Sequence, residues 1–232
     1  MTKWTDQFKA ADETTGTTMT LINKQGKERA HSLNITVKKY PDNIYKYMLR
    51  FTSPENVRGT GLLIAENLDR NDDMWFYLPA LKKIKKISSS ERNHSFMGSE
   101  FSYEDLRREV MRDNDYKLIG NDTVDGYDCY LIEAVPSSSR GQESGYGKRH
   151  LWVRKDIFFK IKTEYYDKTG KLLKTEADED IEQISGGRYR MNKVTMLNDK
   201  TGNKTILTTG RRVIDSGIPD SKFTTMYLEK GA

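Results

Sequence analysis

Few side chains in this sequence stand at catalytic or metal-binding spacing. Its three histidines, His31, His94 and His150, lie far apart. None stands at i, i+4 from another and no H-E-x-x-H string occurs, so two imidazoles cannot share one helix face around a metal. Each reads as a polar strand or loop residue. There is no G-x-S-x-G elbow and no Walker loop. Ser88-Ser89-Ser90, Ser99 and Ser137-Ser138-Ser139 offer hydroxyls without a readable base partner. Cys129, the single cysteine, has neither a disulfide partner nor a zinc spacing and is expected to be a small buried hydrophobe in a strand. Glu176-Ala177-Asp178-Glu179-Asp180 concentrates carboxylates that could hold a cation. In a strand region they are expected to be a solvated edge that discourages aggregation. These residues signal no metal site and no catalytic constellation.

The chemistry that remains is binding. Met74-Trp75-Phe76-Tyr77-Leu78 is an unbroken apolar and aromatic run, expected to be a strand buried on both faces and ended by Pro79. Phe96-Met97-Gly98-Ser99-Glu100-Phe101 sets three large apolar residues in a Gly/Ser context, where they need cover. A loop that folds Phe96, Met97 and Phe101 over an apolar cavity would supply it, and methionine suits variable apolar ligands. Lys82, Lys83, Lys85 and Lys86 form a basic block. Its expected role is docking to an anionic membrane surface or an acidic partner.

These residues must be positioned by strands. Leu33, Ile35 and Val37 alternate with polar residues, as do Tyr45, Tyr47, Leu49 and Phe51, and Phe159, Ile161, Thr163 and Tyr165. Turn signals separate them: Lys24-Gln25-Gly26-Lys27, Tyr40-Pro41-Asp42-Asn43, and two near copies of D-K-T-G at 167–170 and 199–202. Ten or eleven strand candidates joined mostly by hairpins predict a meandering antiparallel sheet. Helix signals are confined to residues 5–11, to 102–111, where Ser102 can cap, and to the run after Pro219, where Asp220 or Ser221 can cap. That is too little helix for parallel crossovers. The Ser/Gly-rich stretch 136–147 reads as a mobile loop between two long strands, Tyr127 to Val135 and Lys148 to Lys155.

A sheet with one apolar face must bury it. A curved sheet with a partly plugged concavity would leave a cavity lined from alternate positions, with Tyr45, Tyr47, Leu49, Trp75, Tyr77 and Trp152 as the inward candidates. The 232 residues suit one all-β domain spanning 1–232. Thirteen tyrosines in a polar average fit strands with one wet face, and 10% aromatics argue against disorder. The net charge of +5 is a mild excess. Beside the aromatics, the lysines could suggest single-stranded nucleic acid, but no signature of that class is present. No stretch reaches the ~20 apolar residues of a membrane span. The start, Met1-Thr2-Lys3-Trp4-Thr5-Asp6, lacks the apolar core of a signal peptide.

Gly59-Thr60-Gly61-Leu62-Leu63, Met74-Trp75 through Leu78-Pro79, Ile87-Ser88-Ser89-Ser90 and above all Phe96-Met97-Gly98-Ser99-Glu100-Phe101-Ser102-Tyr103-Glu104-Asp105-Leu106 resemble the LolA-like outer membrane lipoprotein-sorting protein family. Glu100 departs from the shorter Asp of that pattern. The resemblance implies a mainly β fold: an antiparallel sheet curled into an incomplete barrel, with a few short helices covering the open side. It implies export to the periplasm with the signal removed, a carrier of lipid or lipoprotein acyl chains that catalyses nothing and needs no cofactor, and a partner among membrane exporters of the resistance-nodulation-division type; a monomer is expected. The alternative within the same fold is an envelope assembly module without cargo.

Overall fold

The computed structural model describes residues 10–138, 141 and 143–231. The helix expected over 5–11 lies almost wholly outside them. Thirteen strands form one antiparallel sheet in the order β6-β5-β4-β3-β2-β1-β13-β12-β11-β10-β9-β8-β7. They are β1 (Asp12–Ile22), β2 (Glu28–Lys39), β3 (Tyr45–Ser53), β4 (Gly61–Ala65), β5 (Asp73–Leu78), β6 (Lys83–Lys86), β7 (Asn114–Val124), β8 (Tyr127–Pro136), β9 (Lys148–Arg154), β10 (Lys160–Tyr166), β11 (Leu172–Ile184), β12 (Arg188–Asn198) and β13 (Lys204–Ile214). β6 and β7 end the sheet without pairing to each other, so it is not closed. The expectation of a mainly β, antiparallel, unclosed sheet is met. Among the described residues the one α-helix is α1 (Thr225–Lys230), preceded by a 3-10 turn, Asp220–Phe223. Thr224 caps α1, accepting from the Tyr227 amide, rather than Asp220 or Ser221.

Contacts divide the chain into two compact units. The first holds Leu21–Glu28 and Arg92–Leu207. The second holds Ala10–Thr20, Arg29–Glu91 and the chain from Thr208 onward.

In the second unit, cross-strand register sorts the side chains. Met48 pairs with Leu63 and Leu63 with Trp75, while Gly61 pairs with Tyr77, so these residues share one face. The C-terminal segment covers that face: Met48, Leu63 and Tyr77 pack with Ile218, Phe223 and Leu228, flanked by Trp75, Ile84 and Tyr227. Gly61 permits the close approach, because a Cβ there would stand 2.8 Å from Leu228 Cδ1 and 3.1 Å from the Leu49 carbonyl. Arg50 fastens the helix end, donating from Nη2 to the carbonyls of Tyr227 (2.7 Å) and Leu228 (2.6 Å). The opposite face carries Tyr45, Tyr47, Leu49 and Phe51, with Leu62, Ile64, Met74 and Phe76, all buried.

In the first unit, Asp125 and Gly126 both adopt positive φ (51° and 81°), closing β7 onto β8 with a two-residue turn. The two D-K-T-G copies close differently. Asp167 accepts from the Thr169 and Lys171 amides, whereas Asn198 does this for Lys200 and Thr201. Since α1 seats through Leu228, Leu228→Ala should cost about 3 kcal/mol in urea unfolding, and truncating exposed Met226 less than about 0.5 kcal/mol.

Candidate functional site

Strands β7 to β12 of the first unit carry an unusual cross-strand row. Tyr116 pairs with Ala134, Ala134 with Arg149, Arg149 with Tyr165, Tyr165 with Lys174 and Lys174 with Asn198. Directly paired residues share a face, so two phenols, a guanidinium, an ammonium and an amide stand in line. The next row is Leu118, Ile132, Leu151, Thr163, Glu176 and Met196, largely apolar toward β7.

Residues 92–113 lie across this face as a strap. The helix expected over 102–111 is only a 3-10 turn, Tyr103–Leu106, with Arg107 already extended. Ser102 does cap it, in a reciprocal capping box with Asp105. The chain then straightens because its charged groups reach the sheet and each other. Asp105 Oδ2 accepts from Lys174 Nζ at 2.5 Å and Oδ1 from the Tyr146 hydroxyl at 2.7 Å. Glu109 accepts both terminal nitrogens of Arg149 (2.6 and 2.8 Å) and the Tyr116 hydroxyl. Glu100 accepts from Asn198 Nδ2 at 2.8 Å, and Arg107 donates to Asp113 at 2.6 Å. Burial alone would raise Glu109, but the Arg149 guanidinium more than offsets this and holds its carboxyl below the usual range. Glu104 accepts from the Ser144 hydroxyl and the Gly145 amide. Of the stretch read as a mobile loop, Ser144 and Tyr146 are thus buried beneath the strap; Ser139, Arg140 and Gln142 lie outside the described residues. Gly145 and Gly147 leave no room for a side chain, the latter's Cβ falling 2.5 Å from the Asp167 carbonyl.

Glu176 and Asp178 are not on a solvated edge. They sit on β11, an interior strand of the sheet, and are buried on the strap-facing side. Lys160 pairs with both, 3.1 Å from Asp178 Oδ2 and in closer contact with Glu176. Among the described residues, neither Asp178 oxygen has an aligned hydrogen-bond donor and the buried Thr163 hydroxyl has no hydrogen-bond partner. Burial, with the Glu176 charge adding to it and Lys160 only partly opposing, pushes the Asp178 carboxyl up to about 7.

The strap explains three of the residues singled out in the sequence. Phe96 is buried edge-on against Tyr103 at 5.6 Å. Phe101 packs with Tyr146, Tyr165 and Met196. Met97 is half-buried at a positive-φ turn. Trp152 lies on the other face of β9 from Leu151, with Cys129, Phe159 and Ile161, and its indole donates to Asp122. Tyr45, Tyr47 and Leu49 share one face of the second unit; Trp75 and Tyr77 lie on the opposite one, beneath α1, so these five are not brought together. Tyr47 donates to the buried Glu66 at 3.0 Å. Of the four lysines on or beside edge strand β6, Lys85 pairs with Glu91 and Lys86 with Asp73 (2.7 Å). Lys82 and Lys83 are exposed beside Leu81, which is 62% exposed.

Arg149, Lys160, Lys174 and Glu109 escaped sequence reasoning. The available signal was Lys174, Glu176 and Asp178 at period two, facing away from Thr175 and Ala177. Asp178 also sets a pH dependence. Its folded pKa lies above the ordinary carboxylate value, so the stability it contributes is full below about pH 4 and lost as pH rises through about 7. Asp178→Asn should remove that loss, gaining about 2 kcal/mol relative to the parent between pH 5.5 and 8.5 in paired denaturant titrations.

Comparison with known proteins places this geometry in a family. A family profile described as "Uncharacterized protein" matches residues 43–230. No curated protein matches the chain in sequence. Among solved structures, a Vibrio parahaemolyticus domain named for outer membrane lipoprotein sorting is 30% identical, with a TM-score of 0.90 over 95% of this chain and 92% of that one. A DUF1329 family protein from Desulfovibrio piger is 29% identical, with a TM-score of 0.91 over 97% and 94%. A LolA superfamily protein from Nitrosomonas europaea, 22% identical with a TM-score of 0.77 over 97% and 96%, shares the fold. The chain therefore belongs to the LolA-like family named for outer membrane lipoprotein sorting.

Proposed function

We propose that residues 1–232 act as one periplasmic, monomeric, non-enzymatic carrier that holds a lipid or the acyl chains of a lipoprotein and passes them between envelope components, together with a membrane exporter. The observation that carries this reading is the family membership. The apolar sheet face of Tyr45, Tyr47 and Leu49, continued by Leu62, Ile64 and Met74, supports it as a surface for methylene chains. In this proposal Met97 touches the ligand from the strap, which Phe96 and Phe101 keep seated on the first unit's sheet. Trp75, Tyr77 and Trp152 pack the scaffold. Lys82 and Lys83, with Leu81 beside them, dock the protein to an anionic surface, since Lys85 and Lys86 already have carboxylate partners.

A chain-length series tests the carrier. Uptake of straight-chain fatty alcohols, followed by native mass spectrometry, should strengthen about three- to fourfold per added methylene. No uptake at any length would move the assignment to an envelope module that binds protein. Met97→Asp should weaken uptake while far-UV circular dichroism stays unchanged. Charge reversal of Lys82 and Lys83 together should weaken binding to anionic vesicles at low ionic strength by about fivefold per lysine, with the difference shrinking in high salt.

A further inference from the structure

We infer that the Arg149–Tyr165–Lys174 row is a binding site for the anionic headgroup of an amphiphile, of phosphate or carboxylate class, and that the strap carboxylates Glu109 and Asp105 occupy it in place of that ligand. The inference deepens the carrier reading and rests on it.

Three observations carry it. First, charge pairs between the two layers. Beneath the strap, β9, β10 and β11 carry Arg149, Lys160 and Lys174 with Glu176 and Asp178, and Lys160 pairs with both of those carboxylates; Asp180 and Glu182, farther along the same face of β11, are exposed. Among the described residues, Arg149 and Lys174 pair with carboxylates of the strap, Glu109 and Asp105. With the strap lifted, Arg149 and Lys174 lose the carboxylates that pair with them, and an anionic headgroup would take that place.

Second, the donors have the right form. Arg149 presents its two terminal nitrogens side by side to Glu109, the fork geometry that also suits phosphate oxygens. Lys174 and the hydroxyls of Tyr116 and Tyr146 point at the same strap carboxylates and would serve the same oxygens. Third, the surface is amphiphilic in an ordered way. Ile132 and Leu151, one row away from Ala134 and Arg149, form with Val153 an apolar cluster, so a tail can lie beside its headgroup. The strap itself is fastened largely by charge-assisted contacts, which an incoming anion can replace one for one.

The test is titration calorimetry of the full chain with dodecyl phosphate, dodecanol and inorganic phosphate, repeated on the Glu109→Gln/Asp105→Asn double variant. Dodecyl phosphate should bind more tightly than dodecanol, and the variant should tighten dodecyl phosphate by about tenfold while leaving dodecanol unchanged. An unaltered phosphate-to-alcohol ratio in the folded variant would overturn the headgroup site and leave the carrier standing. Failure of both amphiphiles would remove the carrier reading itself. Inorganic phosphate binding as tightly as dodecyl phosphate would overturn an amphiphile source and assign the row to a free anion. Should the double variant unfold, hydrogen exchange on the unaltered chain decides. Dodecyl phosphate, but not dodecanol, should speed exchange of the Ser102, Glu104 and Asp105 amides, and equal protection with both ligands would refute the proposal.

Discussion

A buried cation needs a partner, and the first unit is organised around that requirement. Arg149 and Lys174 stand on interior strands, out of water, and the strands beside them offer no free carboxylate. Leaving either cation unpaired would cost several kcal/mol. The strap supplies the missing charges, and its conformation follows. Ser102 caps a single turn, after which Arg107 extends and Glu109 reaches Arg149. The same seat orders Ser144 and Tyr146, so one electrostatic demand reaches both the strap and the stretch that follows β8, neither of which strand propensity determines.

The second unit solves its burial problem by apolar contact. One face of β3 to β5 is closed by Ile218, Phe223 and Leu228, and the approach is close enough that Gly61 cannot carry a side chain. The two units therefore differ in what their layers cost to separate. Leu228 leaving its seat forfeits transfer energy that nothing in water returns. Glu109 leaving Arg149 exchanges one set of charge-assisted bonds for another.

The strands were readable from the sequence because period-two alternation is local: Tyr45, Tyr47, Leu49 and Phe51 state their shared face without reference to any other strand. The cap at Ser102 was readable for the same reason. What could not be read depends on register. Trp75 and Tyr47 are equally bulky and both lie in strands, yet which face meets α1 is decided by residues 218–228, far along the chain. Glu176 and Asp178 resemble a solvated acidic stretch until β10 brings Lys160 alongside. The helix over 102–111 failed because tertiary charge pairing overrode a local preference.

The strand order has a kinetic consequence. β1 pairs with β13 across nearly two hundred residues, and Asp12 is held by the amides of Ser216, Gly217 and Ile218. Loop-closure entropy opposes a contact of this separation until the intervening hairpins have formed. An incomplete chain emerging from a ribosome or a translocation pore therefore lacks the strand that should lie beside β1. The β1–β13 pair can close only once the chain through Ile214 is complete, however early the hairpins on either side form.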